Sequence, residues 1–185
     1  MPYTKRMHGI TLVTGNPHKL AELQEIFPAS LQLTSRKLEL DEIQSLDQHQ
    51  IIHHKLRQAY DVLKSPVIVE DVSAELAKLN GLPGPFIKFF EEQLGRSALY
   101  TLAGTGPVKI ICCMGYFDGQ QEIIFDGVME GSVVAPRGGE GFGFDFVIIP
   151  NGYDQTISEL GGAVKNTISH RFKAASSLAA RLNNS

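Results

Sequence analysis

The sequence predicts an α/β fold in which helices flank a mixed central sheet, and three observations carry that prediction. Up to Asp71, short apolar runs alternate with helix-period segments in a βαβαβ-like order, the pattern of a sheet covered by helices. Further on, two apolar runs flank Asp118-Gly119, a hairpin signal that requires antiparallel strands. The chain has 185 residues, 43% hydrophobic and 20% charged, enough for one well-buried domain without a disordered tract. There are no repeats and no linker, so the reading is one domain over residues 1–185, with 1–7 a loose N-terminal tail.

Each element follows from local pattern. Gly9 to Val13 is a short buried strand. A polar turn leads into a helix whose apolar face is Leu20, Leu23 and Phe27. Leu31 to Leu40 alternates like a strand, then gives way to the acidic run Asp41–Ser45. A second helix covers Asp47 to Lys64, with Ile52, Leu56, Ala59 and Leu63 at helical spacing. Pro66 to Val69 is a buried strand that ends at Glu70-Asp71. GLPGP (81–85) bends the chain; helices follow at 87–94 and 97–102. Lys109–Phe117 and Gln121–Asp126 form the hairpin, with a type I′ turn expected at Asp118-Gly119. Gly131–Ala135 continues as strand, and the glycine-rich run 136–145 feeds a last strand in FVIIP. A short helix is expected at Ile157–Gly161. The closing helix starts at Ser169, with Phe172, Ala175, Ala179 and Leu182 as its core stripe.

Charge and composition exclude several functions. Seventeen basic against 20 acidic residues give a net charge of −3, without the basic field that captures duplex nucleic acid. No apolar run approaches the roughly 20 residues that span a bilayer, and the N-terminus lacks a signal-peptide core. The only cysteines, Cys112 and Cys113, are adjacent in an apolar run, and read as buried thiols in a reducing cytosol. The expectation is a cytoplasmic protein that binds neither nucleic acid nor membrane.

Candidate chemistry concentrates in a few places. His18 and Lys19 occupy the first turn of a helix, where the macrodipole is already positive; His170 and Arg171 repeat this oddity after Ser169, a good N-cap. Two cation-loaded helix starts point to an anionic ligand. Glu42, Glu70 and Asp71 are the acidic candidates. Hard carboxylate oxygens at a strand end, without neighbouring imidazole or thiolate, suit Mg²⁺ better than zinc. Lys55 lies beside an apolar helix stripe, and Lys88 follows the stiff GLPGP turn. Glycines in GFGFD (141–145) allow close backbone approach to a ligand, Phe144 offers a flat face for a base, and Asp145 an acceptor. His49 and His53 are four apart on one helix, but no third metal ligand is evident in the sequence, and they read as surface histidines.

The order TGNPHK (14–19), Glu42, Lys55, VED (69–71), GLPGPFIK (81–88), PRG (136–138), FGFD (142–145), Lys165-Asn166 and SHR (169–171) closely resembles the inosine triphosphate pyrophosphatases, the Ham1-like enzymes. The resemblance runs from about residue 9 to the last helix. It implies two lobes with a cleft between them, a homodimer, Mg²⁺, and hydrolysis of ITP, dITP and XTP to the monophosphate and pyrophosphate. By the same resemblance, Thr14, Gly15, Asn16, Pro17, His18 and Lys19 would hold the triphosphate and Lys55 would neutralise it. Glu42 and Asp71 would bind Mg²⁺, Asp71 also acting as the base that activates water, with Glu70 a second choice. Lys88, Phe142, Gly143, Phe144, Asp145, Lys165, His170 and Arg171 would line the nucleotide site, with Arg171 or a backbone N–H aimed at O6 of the base. Two positions depart from the family: Phe144 stands where Trp or Tyr is usual, and Val72 where Ser or Thr follows the acid.

Two other readings compete. A Maf-like nucleotide pyrophosphatase would open with a serine-rich loop rather than TGNPHK. A non-enzymatic nucleotide-binding module would not need the acid set Glu42, Glu70 and Asp71.

Overall fold

A computed structural model describes residues 9–139, 141 and 143–184, so the expected tail at 1–7 and the candidate Phe142 lie outside the described residues. The described strands are β1 (Ile10–Val13), β2 (Leu33–Arg36), β3 (Val67–Leu76), β4 (Pro83–Gly84), β5 (Gly106–Phe117), β6 (Glu122–Val133) and β7 (Ile148–Pro150). They form one sheet in the order β2-β1-β3-β5-β6-β7, with β4 paired to β3. The helices are α1 (Pro17–Ile26), α2 (Gln48–Leu63), α3 (Ile87–Leu94), α4 (Ala98–Ala103), α5 (Ile157–Ile168) and α6 (His170–Asn183). β1 is parallel to β2 and β3, and the other pairings are antiparallel. The sheet is therefore mixed, as the sequence predicts.

β3 organises the molecule. Its whole length, Val67 to Leu76, pairs with β5 on one side. The other side is shared: β1 pairs at Val67 and Ile68, and β4 at Ala74 and Glu75. Between those two short neighbours β3 is left open at Val69–Ser73. Successive strand residues point to opposite faces, so Ile68 enters the cluster with Leu12, Leu23, Met114 and Leu178, beneath α1 and α6. Val67 and Val69 enter the cluster with Ile52, Leu56 and Cys113, beneath α2. A third cluster joins the far end of β3 and β5 to Ile87, Leu99, Phe144, Val147 and Ile157.

Several boundaries differ from expectation. β3 does not end before Glu70-Asp71 but runs through them to Leu76, because β5 supplies partners along its entire length. β2 is only Leu33–Arg36, since its partner β1 has four residues; Leu38 and Leu40 instead pack on the α2 side. β6 is one continuous strand, and its glycines are sites of close approach rather than breaks. A Cβ on Gly127 would lie 2.0 Å from the His170 carbonyl oxygen on α6. The hairpin is present without a type I′ turn, which needs two positive φ angles. Gly119 has φ +97°, whereas neither Asp118 nor Gln120 has positive φ, and Asp118 Oδ1 accepts from the N–H groups of Gln120 and Gln121. The last strand is shortened because Asp145–Val147 forms a 3-10 turn ahead of β7. α5 extends to Ile168, beyond the expected Gly161, with non-helical backbone at Gly161 (φ 78°).

Candidate active site

The open stretch of β3, the end of β1, α1, α2, the turn before α3, Asp145 in the 3-10 turn, and the start of α6 surround one cavity of about 680 Å³. That is ample for a nucleotide-sized ligand. It is lined by Thr14, Gly15, Asn16, Lys19, Glu42, Lys55, Asp71, Lys88, Gly143, Phe144, Asp145, Lys165, His170 and Arg171. Of the sequence candidates among the described residues, Pro17 and His18 are exposed and outside this lining. Pro17 opens α1, and the His18 N–H donates to the N-cap Asn16 Oδ1 at 2.9 Å.

Glu70 and Asp71 are neighbours in sequence but face opposite sides of the sheet. Asp71 points to the α2 side, where Lys55 Nζ donates to Asp71 Oδ1 at 3.1 Å and pairs with Glu42 Oε1 at 2.8 Å. Gln48 Nε2 lies 3.4 Å from Asp71 Oδ2. Burial opposes the charge on Lys55, but Asp71 and Glu42 outweigh it and hold its pKa above the usual lysine value. Burial likewise opposes ionisation of Glu42, and Lys55, aided by Lys88 and Lys19, keeps its carboxyl below the usual range. Two carboxylates converging on one ammonium give an oxygen-only cation environment. Oxygen donors in that number suit Mg²⁺, which takes one or two carboxylates plus phosphate oxygens.

Glu70 faces α1 and α6 and is almost wholly buried. Arg171 Nε and Nη2 donate to its two oxygens at 2.9 and 3.1 Å, and Lys19 Nζ lies 2.6 Å from Oε1. Burial would raise this carboxyl; Arg171 and Lys19 overcome it and hold Glu70 far below the ordinary glutamate value. This changes the meaning of the cation-loaded helix starts. Lys19 on α1 and Arg171 on α6 converge on a carboxylate of the protein itself, and Arg171 Nη1 donates to Glu22 at 2.6 Å. Engaged in this way, Glu70 is a clamp between two helices and a strand, on the face opposite the Glu42–Lys55–Asp71 group. The Arg171 guanidinium is likewise turned to Glu70 and Glu22. Lys165 Nζ bonds Asp145 Oδ2 at 2.9 Å and lies 3.2 Å from Glu22 Oε1.

Two buried polar atoms among the described residues have no hydrogen-bond partner, Glu91 Oε1 and His170 Nδ1, and both residues line this cavity. Leaving such an atom unpaired costs about 1–3 kcal/mol, so a ligand that reaches them gains. Burial and Arg171 keep His170 well below the usual histidine pKa, leaving a neutral imidazole. Burial pushes the Glu91 carboxyl up to about 7, with Arg96 opposing and Asp145 adding. Phe144 lines the cavity and is also core, only 7% exposed, with its ring 6.4 Å from His170.

Sequence reasoning missed Glu22, Glu91 and Arg96. Glu22 stands three residues after Lys19, hence on the same helix face, a signal that was readable. No local pattern marks Arg96, which donates from Nη2 and Nε to the carbonyls of Gly141 and Gly143 at 2.8 and 3.0 Å and so shapes the glycine loop from α3's far end.

Comparison with known proteins matches residues 10–181 to the model of the Ham1 family. The chain is 40% identical over 173 residues to the inosine triphosphate pyrophosphatase of Batrachochytrium dendrobatidis, covering 91% of this chain and 90% of that one. It is 41% identical to the enzyme of the same name from Yarrowia lipolytica, over 89% and 90% of the two chains. Among solved structures, a HAM1 protein from Coxiella burnetii superposes with a TM-score of 0.80 at 25% identity, over 97% of this chain and 100% of that one. The Staphylococcus aureus Ham1 protein has the same fold, with a TM-score of 0.81 at 23% identity over 95% and 98%.

Proposed function

This chain belongs to the Ham1 family, and on that premise we propose that it hydrolyses ITP, dITP and XTP to the monophosphate and pyrophosphate, removing non-standard purines from the nucleotide pool. The observation that carries this reading is the group Glu42, Lys55 and Asp71, set in the cavity beside the open stretch of β3. The relatives' name, inosine triphosphate pyrophosphatase, supports the substrate class.

The residues have complementary roles in this reading. The N-terminus of α1, with Thr14, Gly15 and Asn16, receives the phosphates at backbone N–H groups. Lys55, Lys88 and Lys19 offset the charge that builds on the phosphoryl oxygens as the bond between the α and β phosphorus atoms breaks. Glu42 and Asp71 would hold Mg²⁺, which when bound polarises the phosphoryl group and positions water. Asp71 takes the proton as the water oxygen bonds to the α phosphorus and pyrophosphate leaves. Glu70 and Glu22 keep Arg171 and Lys19 in place. His170 and the Gly143–Asp145 loop face the nucleoside, with Phe144 giving an apolar surface.

We also read the cavity as the cleft between two lobes of a single domain, one built on α1 and α2 and the other on α3 and Gly143–Asp145. A homodimer in the cytoplasm completes the proposal. Exposed apolar residues Leu46, Leu82, Phe89, Phe90 and Leu94 support self-association, and light scattering after size exclusion measures it. No described helix is long and apolar enough to cross a membrane. The decisive experiment supplies Mg²⁺ with ITP, XTP, dITP, GTP, ATP and UTP in turn and measures both products. IMP and pyrophosphate from ITP, far above the rate on ATP, is the expected result; orthophosphate release or equal rates on ATP would refute it.

A further inference from the structure

A row of side chains crosses three strands on the α2 face. In register, Asp71 of β3 stands opposite Cys113 of β5, and Cys113 stands opposite Asp126 of β6. α2 runs above this row, and His49, in its first turn, reaches Asp126, with Nε2 2.8 Å from Oδ2. One turn on, His53 makes a separate rung to Glu122 at 2.8 Å. The sequence reads His49 and His53 as surface histidines without a third ligand; the fold gives each a different acidic partner and brings Cys113 to His49. A ring nitrogen of His49, Sγ of Cys113 and a carboxylate oxygen of Asp126 all lie within 4.8 Å of one another.

The geometry points to a metal site at His49, Cys113 and Asp126, separate from Glu42 and Asp71, for a borderline divalent cation of the Zn²⁺ class. The donor set is the first argument. One imidazole nitrogen, one sulfur and one carboxylate oxygen match the ligand types of zinc, and a thiolate among them disfavours Mg²⁺. The second argument is spacing. Ligand atoms around a tetrahedral zinc stand roughly 3.4–3.8 Å apart, from the bond lengths of such sites, so small side-chain rotations suffice. The third is access. Cys113 is fully buried at the base, whereas the side chains of His49 and Asp126 are 54% and 41% exposed, leaving the outer position to water.

Ligation has a simple balance: the Cys113 S–H bond breaks, its proton goes to water, and the sulfur lone pair bonds the cation. Asp71, opposite Cys113 on β3, and Asp126, opposite it on β6, set a negative field around this sulfur. The same field attracts a divalent ion. Cys112, next in sequence, points to the opposite face, with Sγ 3.6 Å from Glu70 Oε2, and cannot substitute.

The test uses the full chain and Co²⁺ as a spectroscopic probe, so it does not depend on the proposed hydrolysis. With Mg²⁺ in excess to fill the Glu42–Asp71 site, wild-type protein should bind Co²⁺ with a thiolate-to-cobalt charge-transfer band. Cys113→Ser should abolish the band, whereas Cys112→Ser and Glu42→Gln should retain it. His49→Ala and Asp126→Asn, at exposed positions where folding is not at risk, should each weaken Co²⁺ binding by more than the roughly 10–100-fold lost with an outer-shell partner. Absence of the band in wild type, its survival in Cys113→Ser, or unchanged affinity in His49→Ala would overturn the site.

Discussion

Replacing Glu70 by Gln tests the clamp that joins α1, β3 and α6. The side chain is 2% exposed and receives two hydrogen bonds from Arg171 and one contact from Lys19. Glu70→Gln preserves shape but removes the charge and turns an amide donor toward a donor nitrogen. Breaking a buried ion pair costs about 3–5 kcal/mol. Glu22 still holds Arg171 Nη1, which puts the expected loss near the lower end, about 3 kcal/mol. For a chain of this size each kcal/mol lowers Tm by about 2–4 °C, so the variant should melt about 6–12 °C below wild type at neutral pH. The pH dependence adds a second readout. The folded pKa of Glu70 lies below the ordinary glutamate value of 4.5. Its stabilisation is therefore complete above that value and is lost as the pH falls below it toward the folded pKa. The variant lacks this carboxyl, so the gap in Tm should narrow in acid. Circular dichroism melts at neutral and acid pH measure both. A neutral-pH shift under about 2 °C, or a gap that does not narrow, would refute the assignment of Glu70 as a clamp.

The adjacent residue should behave in the opposite way. Asp71→Asn should lower kcat for ITP by roughly 10²–10⁴-fold, the worth of a general base, with Tm close to wild type; retained turnover in a folded variant would assign the base elsewhere. Glu91 is held up to about 7, so between about 4.5 and 7 the folded protein keeps a proton that the unfolded chain has released, and stability falls with rising pH across that window. Glu91→Gln should flatten that slope in denaturant titrations at stepped pH. Gly127→Ala would bring a methyl 2.0 Å from the His170 carbonyl oxygen and 2.4 Å from the Ala174 nitrogen. Backbone atoms cannot rotate aside, so α6 must lift off β6, costing about 1–3 kcal/mol and, because His170 and Arg171 move with it, raising KM for ITP.

Much of the architecture was legible because local pattern and tertiary outcome agreed. Helical spacing marked the core faces of α1 and α2 and most of that of α6, where the expected Phe172 stays half-buried outside the core clusters and Ala174 and Leu178 join Ala175 and Ala179 instead. Asn16, Asp47 and Ser169 cap these helices through their side chains. The hairpin was announced by two apolar runs around Asp118-Gly119. Boundaries were lost where a partner decides. Glu70-Asp71 looks like a strand end because two acids interrupt an apolar run, yet β5 continues to hydrogen-bond past them and the buried cations Arg171 and Lys55 pair with them. Gly127 and Gly131 look like breaks because glycine weakens strands, but here the missing side chains admit α6 and β7.

By itself the sequence determined the fold class, the helix faces and the set of charged residues from which a phosphate and metal site can be built. Local spacing and residue chemistry suffice for those. Only the tertiary structure decided which charges meet. The two-residue period of β3 sends Glu70 to Arg171 and Lys19 and Asp71 to Lys55, giving neighbours different work. The same pairing of strands brings Cys113 beside Asp126, and α2 adds His49 from 64 positions earlier in the chain. Such encounters depend on register and helix placement, which no local run of residues encodes.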